Sequence, residues 1–283
     1  MGSIMERLPT LFLSHGSPMT ALEPREAGAW WSRLGPAIDA AIGRPKAVLA
    51  ISAHSLTREP VLLAAPRHEA VYDFGGFDPK LYTLRYDAPG APELAGRVQA
   101  LLAAAGLPVH RVDEGGLDHG IWVPLRSMWP GADVPVLPLA WPPNWPPARL
   151  YELGQALAPL ADEGVLIVGS GSITHNLGRV FSQGRMSAVD RPATPESTAF
   201  RHWFLDKTAA ADWPALFEYR TKAPHAALMH PTDEHLLPFY VAAGAAGAGT
   251  PGRRVHDSLT FGDLGMDAYA FGPQAAALAD AAA

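Results

Sequence analysis

The chain has 283 residues, a formal net charge of −6, 48% hydrophobic residues and no cysteine. That length suffices for one large α/β domain with a substantial core. The missing cysteines exclude disulfides, thiolate metal sites, iron–sulfur clusters and a cysteine nucleophile, and the acidic balance argues against a nucleic-acid-binding surface.

Along the chain, Leu8 to Leu13 reads as a buried first strand and Ala21 to Ile42 as a helix, with Trp30, Trp31 and Leu34 at helical spacing. Lys46 to Ile51 and Pro60 to Ala65 are further strands, and Asp73-Phe74-Gly75-Gly76-Phe77 is a loop signal. Thr83 to Tyr86 alternates like a short strand. Pro92 to Ala105 is an amphipathic helix stopped by Gly106. Val109 to Val112 is a weak strand before a Gly-rich segment, Glu114 to Gly120. Val134 to Leu139 is a strand, Trp141 to Pro147 a surface loop, and Pro146 to Leu160 a helix with proline in its first turn. Val165 to Val168 is a strand, with Gly169-Ser170-Gly171-Ser172 as the turn after it. Pro195 to Ala211 and Leu236 to Ala246 are helices, Ala242 to Gly252 runs into a loop, and Val255 to Phe261 and Ala268 to Phe271 are closing strands. The alternation predicts one α/β domain over residues 8–273, with a mostly parallel or mixed central sheet and helices on both faces. Residues 1–10 lack the apolar core of a secretory leader, and no run of about 18 apolar residues exists to cross a bilayer, so the expectation is a cytoplasmic protein without membrane partners. A homo-oligomer stays open.

Five short motifs carry histidines: Ser14-His15-Gly16-Ser17-Pro18, Ser52-Ala53-His54-Ser55, Asp118-His119-Gly120, Thr174-His175-Asn176-Leu177 and His230-Pro231-Thr232-Asp233-Glu234-His235. His15 and His54 directly follow strand-like runs, and open α/β sheets present ligands at the carboxyl ends of their strands. A lone histidine in such a turn is as often structural as ligating; two in one chain point to a metal, and imidazole suits zinc, iron or copper. His119, in a Gly-rich loop, suits donation to a substrate oxygen. In the last motif Thr232 is a candidate helix N-cap. His230, Glu234 and His235 are all candidate ligands there, because a two-histidine, one-carboxylate triad is the usual non-haem iron site. His68, His110, His202, His225 and His256 lack comparable motifs and read as surface or hydrogen-bonded residues. Gly169-Ser170-Gly171 has neither the lysine of a phosphate loop nor a complete nucleophile elbow.

Together with Asp73 to Phe77 and Gly169-Ser170-Gly171, these motifs closely resemble, in order and from about Leu8 to Phe271, the DODA-type extradiol ring-opening dioxygenases, relatives of the protocatechuate 4,5-dioxygenase catalytic subunit. The resemblance implies an α/β fold and one mononuclear divalent metal: Fe(II) for activity, with Zn(II) able to occupy the same site. It implies His15, His54 and His235 as ligands, with Glu234 the alternative to His235. His175 matches the acid/base histidine beside the metal, and His119 a histidine lining the substrate pocket. The implied reaction cleaves the ring of a catecholic substrate with O₂ beside the diol, giving a semialdehyde. Ser55 stands where the family often has Trp, which is expected to alter the pocket wall; Asp233 stands where Pro is common. A zinc-dependent hydrolase on the same histidines, and a non-enzymatic binding relative, are the competing readings.

Overall fold

The computed structural model of the protein describes residues 7–182 and 185–281. Its main sheet is built from β1 (Thr10–Ser14), β2 (Ala47–Ser52), β3 (Val61–Leu63), β4 (His110–Val112), β5 (Val136–Ala140), β6 (Val165–Gly171), β7 (Gly252–His256) and β8 (Ala268–Phe271). The spatial order is β7-β8-β1-β6-β2-β5-β3-β4. The four central strands, β1, β6, β2 and β5, are mutually parallel. On one side β8 runs antiparallel to β1 and β7 to β8; on the other β3 runs antiparallel to β5. The sheet is therefore mixed.

Central strands buried on both faces read as continuous apolar runs, and here their residues divide by strict alternation. Phe12, Leu49, Ile51, Ile167 and Leu137 point to one layer, packed by α2 (Pro92–Ala104), by α4 (Pro147–Leu157), by α5 (Pro195–Ala209) and by α6 (Pro238–Ala245). Leu11, Leu13, Val48, Ala50, Leu166 and Val168 point to the other, covered by α1 (Arg25–Ala41), α3 (His119–Met128) and α7 (Ala275–Ala281). Each large apolar side chain taken fully out of water contributes about 1.5–3 kcal/mol, so the two layers fix the sheet and hence the strand ends. Helix starts follow local chemistry. Proline opens α2, α4 and α5, where its missing N–H costs little, and the Thr194 hydroxyl accepts from the Ser197 N–H at the start of α5.

Several sequence expectations need correction. Thr83 to Tyr86 is not a strand: a short 3₁₀ helix, Pro79–Thr83, ends there. The helix expected over Pro146 to Leu160 stops at Leu157 and restarts at Pro159, whose ring cannot continue the hydrogen-bond ladder. Gly169-Ser170-Gly171 is not a turn but the end of β6. Thr232 does not cap a helix; its hydroxyl bonds Glu234, and α6 begins only at Pro238, leaving His235 in the turn before it. The closing strand begins earlier, at Gly252, with an irregularity between Arg254 and His256. Three short helices between Trp213 and Met229 had no sequence expectation.

Candidate metal centre

The parallel centre of the sheet delivers three of the motif histidines. His15 is the residue after β1, His54 lies two residues beyond β2, and His175 lies four residues beyond β6. Gly16, with φ of 63°, allows the chain to turn away directly after His15. His119 opens α3, and His235 approaches over the end of β6. That approach needs the glycines of β6: a Cβ on Gly171 would lie 1.9 Å from the His235 carbonyl oxygen, and one on Gly169 would lie 2.3 Å from that of Pro238. The Ser172 N–H then holds the His235 carbonyl at 2.8 Å.

All five imidazoles meet. Ring centroids lie 5.0 Å apart for His15 and His54, 5.4 Å for His15 and His235, 5.0 Å for His54 and His235, and 4.1 Å for His54 and His119. His175 stacks on His235 at 3.5 Å with the planes 7° apart. The donor atoms fall into two groups, His15 with His54 and His119, and His175 with Glu234 and His235. The expected trio His15, His54 and His235 thus straddles both. His230, the remaining motif histidine, is fully buried and donates from Nε2 to the Ile173 carbonyl at 2.7 Å, against the Phe200 ring.

Each ring is oriented from behind. His15 Nδ1 lies 2.9 Å from Ser170 Oγ, and the Ser170 hydroxyl itself donates to the Gly120 carbonyl. That carbonyl is available because Pro124, four residues on in α3, has no N–H to offer it. Since the serine proton is committed, Ser170 accepts from His15 Nδ1–H, and His15 Nε2 is left with its lone pair. Glu234 Oε1 accepts from His235 Nδ1 at 3.0 Å, and both Asp73 oxygens lie 3.0 Å from His119 Nδ1. Asp73 Oδ2 also lies 3.5 Å from His54 Nδ1. Partners of this kind fix tautomers at metal sites.

Burial and the neighbouring imidazoles hold His15 well below its ordinary value and lower His54 to about 3 and His175 to about 2. These three rings are therefore neutral at neutral pH. The hydrogen bond from His235 brings Glu234 down to about 2. Burial raises Asp73, but the bonds and charge of His119 outweigh it and the carboxyl ends below its usual range. The His15 Nε2 lone pair faces His54 Nε2 at 3.1 Å. Only a shared proton or a cation is compatible with that approach, and the two nitrogens would suit a divalent ion. The neutral His15 ring, with its Nδ1 proton committed and its Nε2 lone pair free, is what a divalent ion requires.

The cavity over the histidines holds about 210 Å³ and is walled by Phe74, Phe77, Phe181 and Phe261 beside His54, His119, His175 and His235. Ser17, Phe77 and Phe261 are shared with an adjoining cavity of about 440 Å³. Ser55 does not line the pocket, contrary to expectation. Its hydroxyl donates to Asp118 Oδ2 at 2.6 Å while Ser52 donates to Oδ1 at 2.7 Å, satisfying a buried carboxylate that burial pushes upward.

A family description, the catalytic LigB subunit of aromatic ring-opening dioxygenase, matches residues 9–272. The chain belongs to the LigB family. Among LigB-type relatives, it is 40% identical to the 4,5-DOPA dioxygenase extradiol of Beta vulgaris over 277 residues, covering 96% of this chain and 99% of that protein. It is 35% identical to the Escherichia coli K12 protein of the same name, covering 92% and 93%. A solved structure of an uncharacterized E. coli K12 protein superposes with a TM-score of 0.75 at 33% identity, over 94% of this chain and all of that one. This LigB-family chain is an extradiol ring-opening dioxygenase, using O₂ on a small aromatic molecule. Among the described residues no helix is long and apolar enough to cross a membrane.

Ser170, Asp73 and Asp118 escaped the sequence reading as site residues. Asp73 and Asp118 carried a signal, an acidic residue in or beside a motif loop, whereas Ser170 stood in an apparent turn.

Proposed function

We propose that residues 8–273 form one catalytic domain in which His15, His54 and His235 hold a single divalent metal, Fe(II) in the active enzyme, to open a catechol beside its diol and release a semialdehyde. The observation that carries this reading is the convergence of five imidazoles, four of them lining one aromatic-walled cavity and His15 packed against them. The near-equal spacing of the three rings supports the trio. The Glu234 contact to His235 Nδ1 supports Glu234 as an orienting group rather than a ligand.

When bound, the ion supplies positive charge that eases deprotonation of the diol and a redox route from ring to O₂, which zinc lacks. The phenylalanine walls hold the ring and keep water out, and the adjoining cavity leaves room for a ring substituent. His175, neutral and stacked on His235, accepts a phenolic proton. The phenolate left beside it is the opposite charge that makes the protonated ring tenable despite its burial. His119, anchored by Asp73, hydrogen-bonds a substrate oxygen. Retention of the family's paired histidines outside the trio favours ring cleavage over a zinc hydrolase, which has no use for an aromatic slot.

Metal content of alanine variants tests the ligand set. After anaerobic Fe(II) loading and desalting, wild type, His119→Ala and His175→Ala should retain one equivalent, while His15→Ala, His54→Ala and His235→Ala should lose it. Retention in His235→Ala with loss in His119→Ala would replace His235 by His119.

A further inference from the structure

The loop Asp73 to Phe77 meets the site in two ways. Phe74 and Phe77 wall the cavity, whereas Asp73 turns its carboxylate to the histidines. The His119 backbone N–H donates to Asp73 Oδ1 at 3.0 Å, and both carboxylate oxygens lie 3.0 Å from His119 Nδ1. A carboxylate can only accept, so His119 Nδ1 carries a proton, and with a single proton on the ring Nε2 carries the lone pair. The ring is further held edge-on against Phe74, with centroids 5.7 Å apart. Main chain and side chain of His119 are therefore tied to one carboxylate, leaving the Nε2 edge to the cavity.

The geometry points to Asp73 as a positioning residue that fixes His119 as a hydrogen-bond acceptor, so that His119 receives a substrate hydroxyl rather than donating to a substrate oxygen. This reverses the donor role the sequence suggested and rests on the catechol reading above. The competing route for Asp73 is through His54, whose Nδ1 lies farther away at 3.5 Å.

Asp73→Asn is the informative change, because the amide places both a donor and an acceptor opposite Nδ1 and frees the tautomer. Imidazole nitrogen NMR on the metal-free protein should show His119 protonated on Nδ1 in wild type and as a mixture of tautomers in Asp73→Asn. In Fe(II)-loaded enzyme, kcat for a catechol should fall about 10-fold, the order expected for one net hydrogen bond lost from the transition state. Metal stoichiometry and thermal midpoint should stay at wild-type values. Asp73→Glu should recover part of the rate. The double variant Asp73→Asn/His119→Ala should be no slower than His119→Ala, since a residue acting only through another adds nothing once that one is gone. Multiplying losses in the double variant, metal loss in step with rate, or an unchanged Nδ1 tautomer in Asp73→Asn would each overturn the assignment. If wild type itself opens no catechol, the catechol reading fails while the tautomer spectra still decide the role of Asp73.

Discussion

Gly171→Ala places one methyl group where the site has no room for it. The new Cβ would stand 1.9 Å from the His235 carbonyl oxygen, whereas real Cβ contacts essentially never fall below 3.0 Å. The obstacle is backbone, not the end of a flexible side chain, and it is tethered by the Ser172 N–H at 2.8 Å. His235 must therefore retreat by roughly 1 Å, a misplacement that can cost about 10²-fold in rate, and the overpacked strand end costs about 1–3 kcal/mol. Gly96→Ala is the control: Gly96 is exposed in α2 with no heavy atom within 4 Å of its would-be Cβ. There the same change should stabilise by about 0.5–1 kcal/mol. Thermal unfolding, Fe(II) titration and catechol turnover on both variants give opposite expectations: Gly171→Ala loses stability, metal affinity and rate, and Gly96→Ala gains stability with both site properties unchanged. Wild-type metal affinity and rate in Gly171→Ala would refute the claim that this glycine sets the position of His235.

His175→Ala should cut turnover about 10²–10⁴-fold while binding metal normally; metal loss equal to that of His15→Ala would make His175 a ligand. Burial lowers His230 from 6.5 to about 4, so between those values the unfolded chain binds a proton that the folded chain refuses. Stability from this residue is complete above the unfolded value and declines as pH falls toward the folded one, by on the order of 3 kcal/mol. Urea midpoints of metal-free protein across that window should drop, and less steeply in a folded His230→Gln variant; equal slopes would contradict this. Ser55→Ala removes one of the two hydroxyls on buried Asp118 and should cost about 1–3 kcal/mol in denaturant unfolding with metal content intact. An unchanged midpoint would mean that Asp118 is satisfied without Ser55.

The apolar runs of the central strands made the sheet legible, because strands buried on both faces leave an unbroken hydrophobic signature that ends where His15 and His54 begin. The antiparallel edges and the short helices between Trp213 and Met229 left weaker traces, since their boundaries depend on packing rather than period. The start of α3 was hidden for a specific reason: His119-Gly120-Ile121-Trp122-Val123-Pro124 contains residues that disfavour a helix, and the proline serves there to free the Gly120 carbonyl for Ser170. Gly169 and Gly171 misled in the same way. Glycine signals a turn locally, but here it admits the His235 segment against a strand, a contact between positions more than sixty residues apart that no local pattern records. The histidines themselves were legible from their motifs, whereas the carboxylate and hydroxyl partners behind them emerge only from the fold.

Oxygen uptake tests the central claim most directly. The purified protein, loaded anaerobically with Fe(II), is mixed with air-saturated buffer and a panel of substituted catechols while O₂ and the yellow semialdehyde are followed together. One O₂ consumed per ring opened, abolished in His54→Ala and absent from zinc-loaded protein, is the expected result. No uptake with any catechol, alongside zinc-dependent ester or amide hydrolysis, would contradict the account.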